Sequence, residues 1–141
     1  MKPITLITLF LAILILPIFA NDDEDKKAKT KIANFKVKQI MEMMNLPQYG
    51  LYKLSSEDKY DSKGFKQASE EVIKYGKKMK DIKHPEKKFQ VFNDDMLKAL
   101  DTFEKSLKSG DKDKLKKSWL VLKVKCADCH TAYIPHKKID K

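Results

Sequence analysis

The stretch 110–133, GDKDKLKKSWLVLKVKCADCHTAY, decides how the whole chain is read. Gly110 suits the end of a preceding helix, because glycine enters the left-handed conformation that closes many helices without a side-chain penalty. Asp111 then offers a carboxylate to cap the next helix. From there Leu115, Trp119, Leu122, Cys126, Cys129 and Tyr133 recur every three or four residues, the spacing of one helix face. A helix over 112–133 is predicted, ending before Pro135.

Three similar patterns lie upstream. Phe89, Phe92, Met96, Leu100, Phe103 and Leu107 predict a helix over 85–108. Phe65, Ala68, Val72, Tyr75, Met79 and Ile82 predict one over 61–82, with Asp61 as its cap and Pro85 in the first turn of the helix that follows. Ala33, Val37, Ile40, Met41 and Met44 predict one over 30–45, stopped by Pro47 and Gly50. A loop is expected over 46–60, with Leu51, Tyr52 and Leu54 tucked against the helices. No stretch shows the sustained two-residue alternation of a strand. Short connections make successive helices antiparallel neighbours. The expected fold is all-α, an antiparallel four-helix bundle.

Cys126-Ala127-Asp128-Cys129-His130 is C-x-x-C-H, the haem-attachment spacing of c-type cytochromes. Residues three and four apart share a helix face, so both thiols can reach one edge of a porphyrin while His130 addresses its iron. One covalent haem c is therefore expected near the C-terminus. Cys126 and Cys129 would hold it as thioethers, and His130 would be the proximal iron ligand. Two other readings stay open. A thioredoxin-like disulfide would sit after a strand at the start of a helix. A zinc site could draw on Cys126, Cys129, His130 and His136, although adjacent Cys129 and His130 suit one tetrahedral ion poorly.

The first helix carries Met41, Met43 and Met44. Met41 and Met44 fall on the inner face with Val37 and Ile40, and Met43 falls off it. Buried methionine commonly fills irregular core space, and an iron with no sixth ligand stays open. Among candidates for that ligand Met41 comes first, Met44 second and Met43 third. A bis-His iron would need His84 or His136; the first is at a helix junction and the second follows Pro135, places that suit surface residues. Trp119 and Tyr133 read as core aromatics or haem contacts.

With the pentapeptide in the last helix of such a bundle, the chain resembles the class II cytochromes c, the cytochrome c prime type. The likeness is carried by 110–115 (GDKDKL) and 126–133 (CADCHTAY). It implies His130 as fifth ligand and a sixth position facing the first helix. High-spin members leave that position empty and bind small gases; low-spin members place a Met there and transfer electrons. In the family a basic residue, usually Arg, meets a haem propionate about one turn before the sixth position. This chain has no Arg, so Lys36 or Lys38 would serve. Family members often pair through their first two helices.

Residues 1–20 read as a signal peptide: a positive start at Lys2, an apolar run from Ile4, and a small residue, Ala20, before the acidic stretch 22–25. A retained membrane anchor is the rival reading. Residues 21–29 read as a flexible polar arm and 30–141 as the cytochrome domain. Export places the chain in the periplasm, an oxidising compartment. The net charge is +10. Export and the lack of Arg argue against nucleic acid; solvation and attraction of an acidic redox partner fit better. Lys123, Lys125, Lys137 and Lys138 are the expected steering charges. No membrane association is expected once the leader is removed, and a homodimer is compatible with the family likeness. No paired nucleophile and base appears, so an enzyme is not expected. The expected function is periplasmic electron transfer with His/Met iron. The alternative is a five-coordinate protein binding nitric oxide or other small gases. A haem-free helical binding module with a disulfide is the third.

Overall fold

A computed structural model describes residues 22–133. The predicted leader, His136, Lys137 and Lys138 lie outside the described residues. Four helices, α1 (Asp22–Ser56), α2 (Lys63–Gly76), α3 (Lys87–Ser109) and α4 (Lys112–Tyr133), form an all-α bundle without strands among the described residues. A 3-10 turn, Lys77–Asp81, follows α2. None of the described helices is long and apolar enough to cross a membrane. α1 lies against α2 and α3 against α4, and α2 joins α3 between the two pairs.

Trp119, 1 % exposed, ties the bundle together. Its ring meets one aromatic from each other helix: Tyr52 of α1 at 5.5 Å, Phe65 of α2 at 6.5 Å and Phe103 of α3 at 5.6 Å between centroids. The Tyr52 and Phe65 contacts are edge-on, the arrangement that ring quadrupoles favour. Leu51, Leu100 and Leu122 are buried with it. Asp58 accepts from Lys112 at 3.1 Å and Lys116 at 3.2 Å, linking the α1–α2 loop to the start of α4. These ion pairs are exposed and add little.

α4 runs to Tyr133, the last described residue, and its predicted cap is as observed. Lys114 N donates to Asp111 Oδ1 at 3.0 Å, and Gly110 adopts φ +69° between α3 and α4. Four boundaries in α1 and α2 differ from expectation. α1 starts at Asp22, so residues 22–29, read as an arm, are its exposed first turns. Lys29 pairs with Asp25 at 2.7 Å on these turns. α1 also runs through Pro47 to Ser56, where a loop was expected. Proline removes one helical hydrogen bond. Here Pro47 and Leu51 continue the buried row begun by Ala33, Ile40 and Met44, and that burial holds the helix together past the lost bond. α2 is capped by Ser62 rather than Asp61, since Phe65 N donates to Ser62 Oγ at 3.1 Å, and it gives way to the 3-10 turn at Lys77.

His84, expected at the surface, is 1 % exposed. Glu86 N donates to His84 Nδ1 at 3.1 Å, which requires Nε2 to carry the ring proton. That nitrogen donates to Asn34 Oδ1 at 3.0 Å. The ring stacks on Phe89 at 4.3 Å. Both nitrogens are committed to fixing the α2–α3 connection against α1, which removes His84 as an iron ligand. Replacing it by Ala leaves a cavity and strands the Glu86 amide. His84→Ala is expected to lower unfolding free energy by about 2–3 kcal/mol, read from urea denaturation; an unchanged midpoint would contradict the assignment.

Candidate functional site

Two turns beyond Trp119, α4 presents Cys126, and one turn further Cys129 and His130. All three are half-buried. Helical spacing puts the thiols on the side of α4 that continues the buried row Leu115, Trp119 and Leu122, and Cys126 packs against the core. Together the three line a cavity of about 20 Å³. Met41, Met44 and Gln48 of α1 form its opposite wall. Met79 of the 3-10 turn with Asn93 and Met96 of α3 complete it.

The structure thus brings the pentapeptide together with both leading sixth-ligand candidates. Met44 is 2 % exposed and Met41 half-buried, whereas Met43 is 38 % exposed and does not line the cavity. Met79, Met96, Gln48 and Asn93 were not foreseen as site residues. Met79 and Met96 had been placed on core stripes, and only the turn after α2 directs them toward Cys126. Gln48 fell in the expected loop. Asn93 sits one helical turn before Met96, and its Nδ2 donates to the Met79 carbonyl at 3.0 Å. Its Oδ1 is buried and has no hydrogen-bond partner.

Burial dominates the electrostatics. It pushes the Cys126 thiol up to about 11, with the neighbouring Cys129 adding to the effect. Cys129 is also raised by burial. Tyr52 is raised by burial and by the nearby Cys126, against a hydrogen bond from Gln48 that lowers it. The expected steering lysines are partly engaged. Lys123 sits over the Tyr52 ring at 5.5 Å, and Lys125 lies 3.8 Å from Asp95 and 3.9 Å from Asp128.

For haem c the donor chemistry fits: two thiols on one helix face, an imidazole beside them, and neutral thioethers across the seam. The orphaned Asn93 oxygen marks a place where a polar group is wanted. The cavity itself has room for about one water, far less than a porphyrin needs, so the seam would have to open to take one. Methionine, unbranched and flexible, is suited to that. For zinc the fit is poor. Among the described residues no group of three His, Cys, Asp or Glu side chains could hold a metal ion, and His136 lies outside them.

No protein-family model, curated protein or solved structure matches the chain.

The raised Cys126 thiol has a direct consequence. At pH 7–8 it stays protonated, and only the thiolate is nucleophilic. In the haem-free chain its alkylation by iodoacetamide is expected to be about a hundredfold slower than that of an ordinary thiol at neutral pH, and to rise until pH nears 11. A rate already level by pH 9.5 would show that burial does not govern it.

Proposed function

We propose that this chain is an exported mono-haem c-type cytochrome of the periplasm, an electron carrier whose iron is held by His130 and by a methionine of α1. The observation that supports it is the meeting of Cys126, Cys129 and His130 with Met41 and Met44 at one apolar cavity. Bound haem supplies a one-electron iron couple; the roles that follow belong to the protein. Cys126 and Cys129 anchor the group through thioether bonds, so that it stays when an axial ligand exchanges. His130 gives the iron a nitrogen ligand from the same helix. Met41 would be the first choice for a second iron ligand and Met44 the next. A neutral thioether adds no charge to the buried iron and raises the reduction potential relative to a second histidine.

The surrounding residues exclude water. Met44, Met79 and Met96 are nearly inaccessible, and the Trp119 cluster seals the seam two turns away. Cys126 and Cys129 have to react before that seam closes, because Cys126 is buried and protonated in the closed bundle. The charge of +10 suits an acidic redox partner. A homodimer through α1 is part of the same reading, since its outward face carries Ile32, Phe35, Leu46 and Tyr49 at helical spacing, all strongly exposed.

The visible spectrum of protein made alongside haem-ligation machinery tests the proposal. A low-spin spectrum with a methionine-to-iron charge-transfer band is expected, and Met41→Ala should make it high-spin. If Met41→Ala changes nothing and Met44→Ala does, the ligand is Met44. A high-spin parent spectrum that shifts with nitric oxide would replace electron transfer by gas binding. Cys126→Ala with Cys129→Ala is expected to abolish haem staining on denaturing gels; staining that persists would contradict covalent attachment.

A further inference from the structure

Four methionines line the cavity beside Cys126, and three of them, from three separate elements, are fully buried. Met44 comes from α1, Met79 from the 3-10 turn and Met96 from α3, and they are 2 %, 1 % and 4 % exposed. Buried methionines ordinarily fill space. These instead border a void of about 20 Å³, the size of one small guest. A second observation points to a guest. Asn93, 6 % exposed, borders the same void, and its amide is oriented by donation from Nδ2 to the Met79 carbonyl. That leaves Oδ1 as a buried acceptor without a partner among the described residues, a group that buried sites normally satisfy.

The lining indicates what the guest is. Besides the three buried methionines and Asn93 it holds Met41, Gln48, the two cysteines and His130, and no Lys, Asp or Glu borders it. Thioether sulfurs and an amide oxygen offer lone pairs and the negative ends of dipoles, which favour a cation. With no anionic side chain to compensate, a dication would be costly to bury, so a single charge is favoured. Thioether sulfur is soft and selects Cu(I) among the biological metals.

We propose that Met44, Met79 and Met96 form a thioether site for Cu(I) in the haem-free chain, with Asn93 contributing its carbonyl dipole. Each sulfur donates a lone pair to the ion. No proton is released and no oxidation state changes, because thioethers are neutral and copper enters already reduced. The thioether set omits both cysteines and His130, but it shares its cavity and Met44 with the haem reading, so the two guests exclude one another.

The test uses the full chain carrying Cys126→Ser and Cys129→Ser, which cannot attach haem, titrated anaerobically with Cu(I) against a colorimetric copper chelator. One Cu(I) per chain is expected. Each of Met44→Leu, Met79→Leu and Met96→Leu should weaken binding by about tenfold or more, while Met43→Leu, which lies off the cavity, should leave it unchanged. Leu and Met are close in volume, so these variants should keep their helical circular dichroism. X-ray absorption at the copper edge gives a readout that needs no Met variant: a shell dominated by sulfur, with at most one oxygen from Asn93, is expected. The proposal is overturned if the double-Ser chain binds no Cu(I), if the three Leu variants bind as tightly as their parent, or if the shell lacks sulfur or is made mainly of nitrogen or oxygen. Loss of haem with retention of Cu(I) in the double-Ser chain separates the two sites' fates.

Discussion

One ring holds this bundle closed. Trp119 of α4 reaches an aromatic side chain on every other helix, and the cluster so formed is inaccessible to solvent apart from the edge contributed by Tyr52. Large aromatic side chains contribute more burial per residue than any others. Because α1 and α4 lack the close backbone packing that joins α1 to α2 and α3 to α4, their seam depends on such side-chain bridges. Near Trp119 the bridge is aromatic. Two turns further along α4 it is sulfur.

That change of chemistry along one helix organises the candidate site. An aromatic lock leaves little freedom, whereas methionine sulfurs can move, polarise and donate. Placing the pentapeptide beyond the lock allows α1 and α4 to admit a guest at one end without loosening the other. The same burial that would shield an iron centre also raises the Cys126 thiol, so the closed haem-free bundle is chemically quiet. On the proposed function, haem ligation would then belong to a stage before the bundle closes. His84 plays the complementary structural part at the α2–α3 corner, where both ring nitrogens fix the connection that carries Met79 toward the cavity.

The bundle was legible because its signals are local. The stripe from Phe89 to Leu107, the cap at Asp111 and the stop at Gly110 all act within a turn or two of themselves. Where distant burial outweighs a local rule, sequence reading failed. Pro47 announces a helix end, yet its ring lies in the buried row with Met44 and Leu51, and the helix continues. His84 looked like a surface residue beside a proline, yet the fold brings Asn34 to it from fifty residues away. At the site, Cys126, Cys129 and His130 could be read from spacing and Met41 and Met44 from helix phase. Met79, Met96 and Asn93 could not, because their convergence on Cys126 is set by the 3-10 turn and the way α3 packs, neither of which has a one-dimensional signature.

The central claim is that the sulfurs of Cys126 and Cys129 carry a porphyrin at the α1–α4 seam. Its most direct test is the intact mass of chain recovered from the periplasm of cells equipped for haem ligation, followed by peptide mapping. The account predicts a mass greater than the polypeptide by one haem, with the addition on the peptide that contains both cysteines. A bare polypeptide mass, or one lower by only the two hydrogens of a disulfide, would contradict it.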